Sequence, residues 1–139
     1  MRAVEGPEGT YLLVKRSEES SLVRDPETGE EHYLPNAELE PAGEDPLALA
    51  SEGVSPGVRA LIRGCHDEST LGLLLELERC GPLPVRDILD VGESCESDLN
   101  GLLAELRVAG CIEETEVAGE RGYRVSGAVA DALAALRSV

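Results

Sequence analysis

Residues 94–112, SCESDLNGLLAELRVAGCI, decide the fold of the second half of the chain. Leucines at positions 99, 102, 103 and 106 follow the spacing that places side chains on one face of a helix. Ser94 has the residue type of an N-cap, and Ala109-Gly110 has the chemistry of a helix end. The stretch therefore predicts a helix over 94–109 with one buried face, followed by the start of an apolar strand.

The segments around this helix predict three more helices before it, a β-hairpin after it and a closing helix. Ser55-Pro56 is a helix start signal, Gly81-Pro82 is a stop, and Pro84 opens a new helix. The predicted elements are a helix over 58–63, a helix from Asp67 or Ser69 to Gly81, a helix over 85–89, the 94–109 helix, strands over 112–117 and 123–125 around a turn at 118–122, and a helix over 127–139.

The first part of the chain has the pattern of a small β unit. Short β-prone runs at 11–14, 21–24 and 31–34 are separated by turn residues, with Pro26 and Gly29 in the second turn. This predicts a three-stranded antiparallel meander within residues 1–41. Residues 42–56 are rich in Pro, Gly, Ala and Ser and predict a linker, with a short helix at 47–50. We therefore expect a β unit over 1–41, a linker over 42–56 and a helical domain over 57–139.

The composition indicates a protein adapted to concentrated salt. The 139 residues carry 28 acidic and 12 basic side chains, a net charge of −16, and Lys15 is the single lysine. In molar salt the Debye length shrinks to about 3 Å, so a strongly acidic surface keeps the protein soluble without strong self-repulsion. The alternative is a specifically acidic protein that binds basic partners or mimics nucleic acid.

Several function classes are excluded by what the sequence lacks. No apolar run is long enough for a membrane helix, and the first residues have no signal-peptide pattern, which predicts a cytoplasmic protein. Because the cytoplasm is reducing, we expect no structural disulfides. The four cysteines, at 65, 80, 95 and 111, form no C-x-x-C pair, so we expect no metal site. With two histidines and no phosphate-binding glycine loop, we expect no enzyme activity and no cofactor.

The order of the helices and the hairpin resembles the winged helix-turn-helix superfamily of bacterial and archaeal regulators. The resemblance covers about residues 67–137. It is carried by the segments 73–77 (LLLEL), 81–83 (GPL), 85–89 (VRDIL), 92–94 (GES) and 103–112 (LAELRVAGCI), and by Tyr123 at the end of the wing. With its acidic composition, the chain resembles small winged-helix proteins of haloarchaea. The expected fold class is α+β, a winged helix-turn-helix domain preceded by the β meander.

This resemblance implies a transcription regulator that binds double-stranded DNA. The 94–109 helix would lie in the major groove and the 118–122 wing would reach the backbone or the minor groove. Asn100 would pair with adenine and Ser97 with a phosphate. The full set of predicted DNA-binding residues is Arg86, Ser97, Asn100, Arg121 and Arg124. Two positions depart from the pattern of the superfamily, since Asp98 stands where Thr is usual and Gly101 where Arg is usual.

Further expectations concern partners and cysteines. Because DNA half-sites favour two-fold symmetry, we expect a homodimer formed through the C-terminal helix. An alternative function is a protein–protein interaction module without sequence-specific DNA binding, which the acidic residues Glu96 and Asp98 favour. Cys95 is a candidate redox sensor, because an adduct there would block the groove-facing surface. Cys80 and Cys111 are predicted to be small core residues.

Overall fold

A computed structural model describes residues 1–92 and 95–137 of the chain. The protein is α+β, with helices and antiparallel sheets in two compact units, Met1–Val54 and Ser55–Val139. No helix among the described residues has both the length and the apolar character needed to cross a membrane.

The first unit is built on a five-stranded antiparallel sheet. Its strands are β1 (Arg2–Gly6), β2 (Gly9–Arg16), β3 (Ser20–Arg24), β4 (Glu31–Pro35) and β5 (Glu40–Pro41), in the spatial order β4-β3-β2-β1-β5. The predicted meander corresponds to β2, β3 and β4. Neither β1 nor β5 was predicted. For β5 the reason is its length, since the two residues Glu40-Pro41 have no strand pattern of their own.

Each face of this sheet carries a small apolar cluster, and one of these clusters includes a residue of the predicted linker. Val4, Tyr11 and Val23 form one apolar cluster, whereas Ala3 and Leu12 pack with Leu49. Leu49 lies on α1 (Pro46–Ala50), which is capped by Asp45 and followed by a 3₁₀ turn over Ser51–Gly53. The structure therefore places α1 in the first unit, where the sequence predicted a linker over 42–56.

Asn36 holds the turn between β2 and β3. Its side-chain amide donates hydrogen bonds to the carbonyl oxygens of Ser17, at 2.7 Å, and Glu18, at 3.1 Å. The hydroxyl of Ser21, which is fully buried, donates to the Asn36 Oδ1 at 2.5 Å. The end of β2 is thus fixed by side-chain bonds in addition to its ladder.

The second unit contains five helices and a three-stranded antiparallel sheet among its described residues. The elements are α2 (Pro56–Gly64), α3 (Glu68–Cys80), β6 (Leu83–Pro84), α4 (Val85–Val91), α5 (Glu96–Val108), β7 (Ile112–Val117), β8 (Glu120–Val125) and α6 (Gly127–Leu136), with sheet order β6-β8-β7. Asp67, one of the two predicted caps, accepts a hydrogen bond from the Thr70 amide at 2.7 Å. Ser94, the predicted cap of α5, lies outside the described residues.

The leucine pattern of the sequence forms the core of this unit. Leu74 and Leu77 of α3 and Leu103 and Leu106 of α5 are fully buried, together with Val129 and Leu133 of α6. The predicted turn at 118–122 is shorter in the structure, because Glu120 to Gly122 already belong to β8. β6 was not predicted, and it adds a third strand through the pairs Leu83–Tyr123 and Pro84–Gly122.

Glycine permits close packing of α2 on α6. A Cβ atom at Gly57 would lie 2.0 Å from the carbonyl oxygen of Ala128, so the two helix backbones touch where no side chain intervenes. The apolar face of α6 is therefore occupied by packing within the unit.

Cys80 and Cys111 were both predicted to be core residues, but only Cys111 is buried. Cys111 is fully buried, its thiol donates to the Ala60 carbonyl oxygen at 3.2 Å, and burial raises the pKa of that thiol. Cys80 is exposed at the end of α3, so its prediction as a core residue is wrong. The cause is its position in the last turn of the helix, after the final buried leucine, Leu77.

Candidate nucleic-acid interface

The first turns of α5 present a polar surface made of small side chains. Leu99 and Leu103 point into the core, which leaves Ser97, Asn100 and Gly101 exposed. Residues three and four apart lie on one face of a helix, so these three share a face. A Cβ atom at Gly101 would meet no atom within 4 Å, so nothing in the described structure fills the space above this glycine. The face offers hydrogen-bonding groups with little steric bulk.

Carboxylates flank this polar face. Glu96 and Asp98 lie in the first turn of α5 and are both exposed. Acidic residues in a first turn interact favourably with the helix dipole, by about 0.3–1 kcal/mol. They also repel phosphates, so contacts of the first turns of α5 with the DNA backbone have to involve uncharged side chains.

Arg86 is not a free cation. It lies in the first turn of α4, and its Nη2 is 3.0 Å from the Glu120 Oε2 on β8. A second carboxylate, that of Asp87, is 4.0 Å from the Arg86 Nε. The pair with Glu120 links α4 to β8, and the Arg86 side chain remains 72% exposed.

The β7–β8 hairpin carries two further ion pairs. Arg124 stands opposite Glu113 in the β7–β8 register, and the Arg124 Nε donates to the Glu113 Oε2 at 3.1 Å. The Nη1 of Arg107, near the end of α5, lies 3.1 Å from the Glu114 Oε2. The positive charges of Arg107 and Arg124 are thus compensated by two carboxylates of β7.

Arg121 differs from the other arginines of this surface. In residues 1–92 and 95–137, no carboxylate oxygen lies within 4.0 Å of its guanidinium, although Glu116 is its register partner. The guanidinium carbon lies 6.0 Å from the centroid of the Tyr123 ring, at the outer limit of a cation–π contact. Arg121 therefore keeps an uncompensated charge on β8.

Cys95 stands next to the polar face of α5. It is the N-cap residue of the helix and is exposed, with its Sγ 3.5 Å from the Ser97 Oγ. Any group attached to this thiol would lie beside Ser97.

The structure brings the predicted site residues together only in part. Ser97 and Asn100 share one face of α5, and Arg121 is unpaired on β8, whereas Arg86 and Arg124 are held by carboxylates. The carboxylate partners Glu113 and Glu120 were not predicted from the sequence. Glu113 could have been predicted as the partner of Arg124, because residues at equal distances from a hairpin turn lie opposite each other on the two strands. Nothing local indicated Glu120, since its partner lies on a different element.

Comparison with known proteins gives one match. A family model described as a family of unknown function, DUF7346, matches residues 1–137. Neither the curated proteins nor the solved structures include a match to the chain.

Proposed function

The chain belongs to DUF7346, a family of unknown function, and we propose that it is a winged helix-turn-helix regulator that binds double-stranded DNA. The observation that carries the proposal is the exposed face of Ser97, Asn100 and Gly101 on α5, in a unit whose wing strand bears the unpaired Arg121. α5 is the recognition helix in this proposal, and α4 is the helix that precedes it.

The element order supports the winged-helix assignment. α3, α4 and α5 are followed by the β7–β8 hairpin, and the short strand β6 between α3 and α4 pairs with β8. In the DNA-binding helix-turn-helix motif, the second helix of the pair enters the major groove with its N-terminal residues toward the base edges. In this chain those residues are the ones around Ser97 and Asn100.

Each side chain has a defined task in the proposed complex. Asn100 donates to N7 and accepts from the N6 amino group of an adenine, the pairing that its amide geometry favours. Ser97 binds a phosphate oxygen, and Arg121 contacts a phosphate or enters the minor groove. Arg86 and Arg124 contribute only after exchanging their carboxylate partners for phosphates.

The acidity of the chain fits a regulator that works in the cytoplasm of a halophilic archaeon. DNA affinity from counterion release falls steeply as salt rises, so in molar salt a protein gains little from an extended basic surface. The affinity that comes from short-range hydrogen bonds, such as those proposed for Asn100 and Ser97, falls much less as the salt concentration rises. The proposed interface relies on such contacts.

We extend the proposal to a homodimer formed through α6. The buried face of this helix packs within its own unit, so the contact would use the outer face, where Leu136 is 62% exposed and Ala134 is exposed. A dimer of this kind predicts a selected DNA site with two-fold symmetry. Sedimentation equilibrium of the wild type and of Leu136→Asp tests it.

Selection from a random duplex library at high KCl tests the proposed function. The full chain is expected to enrich one motif over successive rounds, and a chain with Asn100→Ala and Arg121→Ala is expected to enrich that motif more weakly and without its preference for the adenine that Asn100 contacts. Gly72→Ala, on α3, serves as the folded control. Failure of the wild type to enrich any sequence would contradict the proposal.

A second candidate function is a protein–protein interaction module without sequence-specific DNA binding. The observation that favours it is that Arg86, Arg107 and Arg124 are all paired with carboxylates, which leaves an acidic surface around α5. In that case the wild type would retain no DNA in the selection experiment.

A further inference from the structure

A hollow of about 750 Å³ lies between α3, α4 and α5 in the second unit. All of its lining residues fall within residues 67–102, so the hollow belongs to this unit alone. Pockets for small molecules have volumes of about 300–1,000 Å³ and combine an apolar lining with a few polar groups. The hollow therefore has the size of a site for a small organic molecule.

The floor of the hollow is apolar. Ile88 of α4 and Leu99 of α5 line it and are buried in the core of the unit. Each of the three helices adds a leucine that is only half-buried, namely Leu73, Leu89 and Leu102. A ligand with an apolar body would remove more of these leucines from water, which favours binding.

Gly72 keeps one side of the hollow open. It lies in the interior of α3 and lines the hollow, and a Cβ atom there would meet no atom within 4 Å. Glycine destabilises the interior of a helix relative to alanine. Space is thus present where any other residue would place a side chain.

The rim of the hollow is acidic. Its carboxylates are those of Asp67, Glu76 and Asp98, and among the described residues no basic side chain lines it. Asp67 is engaged as the N-cap of α3, because it accepts a hydrogen bond from the Thr70 amide at 2.7 Å, which lowers the pKa of its carboxyl. Glu76 is paired, with its Oε2 3.5 Å from the Arg79 Nη2. An anionic ligand would meet only negative charge at this rim.

Asp98 is the carboxylate of the rim that remains available. In residues 1–92 and 95–137, no basic nitrogen lies within 4.0 Å of its oxygens. It lies in the first turn of α5, four residues before Leu102, so the two side chains share a face of the helix. A molecule that covers Leu102 can therefore place a positive charge at Asp98.

We propose that this hollow binds an apolar amine, a small molecule whose body lies on the leucine floor and whose ammonium group pairs with Asp98. A hydrophilic cation would gain nothing from the floor. A metal ion is also disfavoured, because no three His, Cys, Asp or Glu side chains of the described residues are arranged to hold one. The inference goes beyond the proposed function and does not depend on DNA binding.

Fluorescence titrations with three naphthalene compounds test the site in the full chain. Naphthylmethylamine, naphthalenemethanol and naphthaleneacetic acid share the ring system, and at neutral pH they are cationic, uncharged and anionic. The chain contains no Trp, so the naphthalene emission is measured without tryptophan background. Titrations are made at the lowest KCl concentration at which the circular dichroism of every variant equals that in molar KCl.

The amine is expected to bind one molecule per chain and more tightly than the alcohol, and the acid is expected to bind least. Asp98→Asn is expected to lower the affinity for the amine by up to about fivefold, the equivalent of one exposed ion pair, and to leave that for the alcohol unchanged. The matched control is Glu96→Gln, which removes a carboxylate of the same helical turn that does not line the hollow. Gly72→Leu, which narrows the hollow without changing its charge, is expected to weaken the amine and the alcohol alike.

Equal effects of Asp98→Asn and Glu96→Gln on the amine would overturn the inference, because they would show a general attraction of cations to an acidic chain. It would also be overturned by an acid that binds as tightly as the amine, by unchanged binding in Gly72→Leu, or by the absence of saturable binding of the amine to the wild type. The selection experiment with random duplexes decides the proposed function separately, since these titrations contain no DNA.

Discussion

Arg86 of α4 and Glu120 of β8 form an ion pair that joins the helix before α5 to the β7–β8 hairpin, with 3.0 Å between Nη2 and Oε2. The pair is largely exposed, and exposed pairs of this kind contribute between zero and about 1 kcal/mol to stability. Opening it in a DNA complex therefore costs little. In the free protein, however, it cancels a charge that phosphates would otherwise attract.

Glu120→Gln is predicted to strengthen DNA binding. The change frees Arg86 and removes a carboxylate from the wing, so the affinity for duplex DNA is expected to rise by up to about fivefold, the equivalent of one exposed ion pair. Anisotropy titrations measure the change. The matched control is Glu78→Gln, which releases Arg137 instead. Unchanged or weaker binding by the Glu120 variant would show that the wing does not approach DNA.

Two glycine-to-alanine substitutions are predicted to change stability in opposite directions. Gly57→Ala places a methyl group 2.0 Å from the Ala128 carbonyl oxygen, so α2 and α6 have to separate, at a cost of about 1–3 kcal/mol. Gly72→Ala adds a methyl group to the interior of α3, where no atom lies within 4 Å, and is expected to stabilise by about 0.5–1 kcal/mol. Urea unfolding of both variants checks the signs. Equal effects would contradict the close contact of α2 with α6.

The sequence predicted the elements whose signals are local. The leucines of α5, the cap Asp67 and the hairpin over 112–125 all depend on neighbours within a few residues, and the structure contains each of them. Strands β5 and β6 have two residues each and exist only through pairing with distant strands, so no local pattern predicts them. α1 joined the first unit because Leu49 finds apolar partners on β1 and β2, which the polar composition of its segment concealed.

The same distinction holds for the candidate site. Exposure of Ser97 and Asn100 follows from the helical period, which the sequence contains. The pairing of Arg86 with Glu120 depends on how α4 meets the wing, and a contact between residues 34 positions apart cannot be inferred from local patterns.

Modification of Cys95 is predicted to release DNA. An adduct on this exposed thiol lies beside Ser97, so it would block the proposed recognition face. Cys80 is also exposed but lies at the end of α3, which makes it the internal control. We expect oxidant to weaken DNA binding of the wild type and of Cys80→Ser but not of Cys95→Ser. Mass spectrometry identifies the modified thiols, and loss of binding through Cys80 alone would refute the sensor role.

Stability is predicted to depend on salt. The net charge of −16 repels itself over a Debye length of about 8 Å at 0.15 M salt, and of about 3 Å at 1 M. Thermal unfolding followed by circular dichroism is therefore expected to shift to higher temperature as KCl rises. An unchanged melting temperature across this range would remove the argument for adaptation to high salt.

The most direct test of DNA recognition by α5 is the base preference of the chain at each position of its selected site. The wild type and Asn100→Ala are compared on duplexes that differ by single base pairs, with Arg121→Ala as the control. Asn100→Ala is predicted to lose about 1–3 kcal/mol of discrimination at one adenine and to keep the other preferences. Arg121→Ala is predicted to weaken binding to every duplex similarly. An identical preference profile for the wild type and Asn100→Ala would contradict the account.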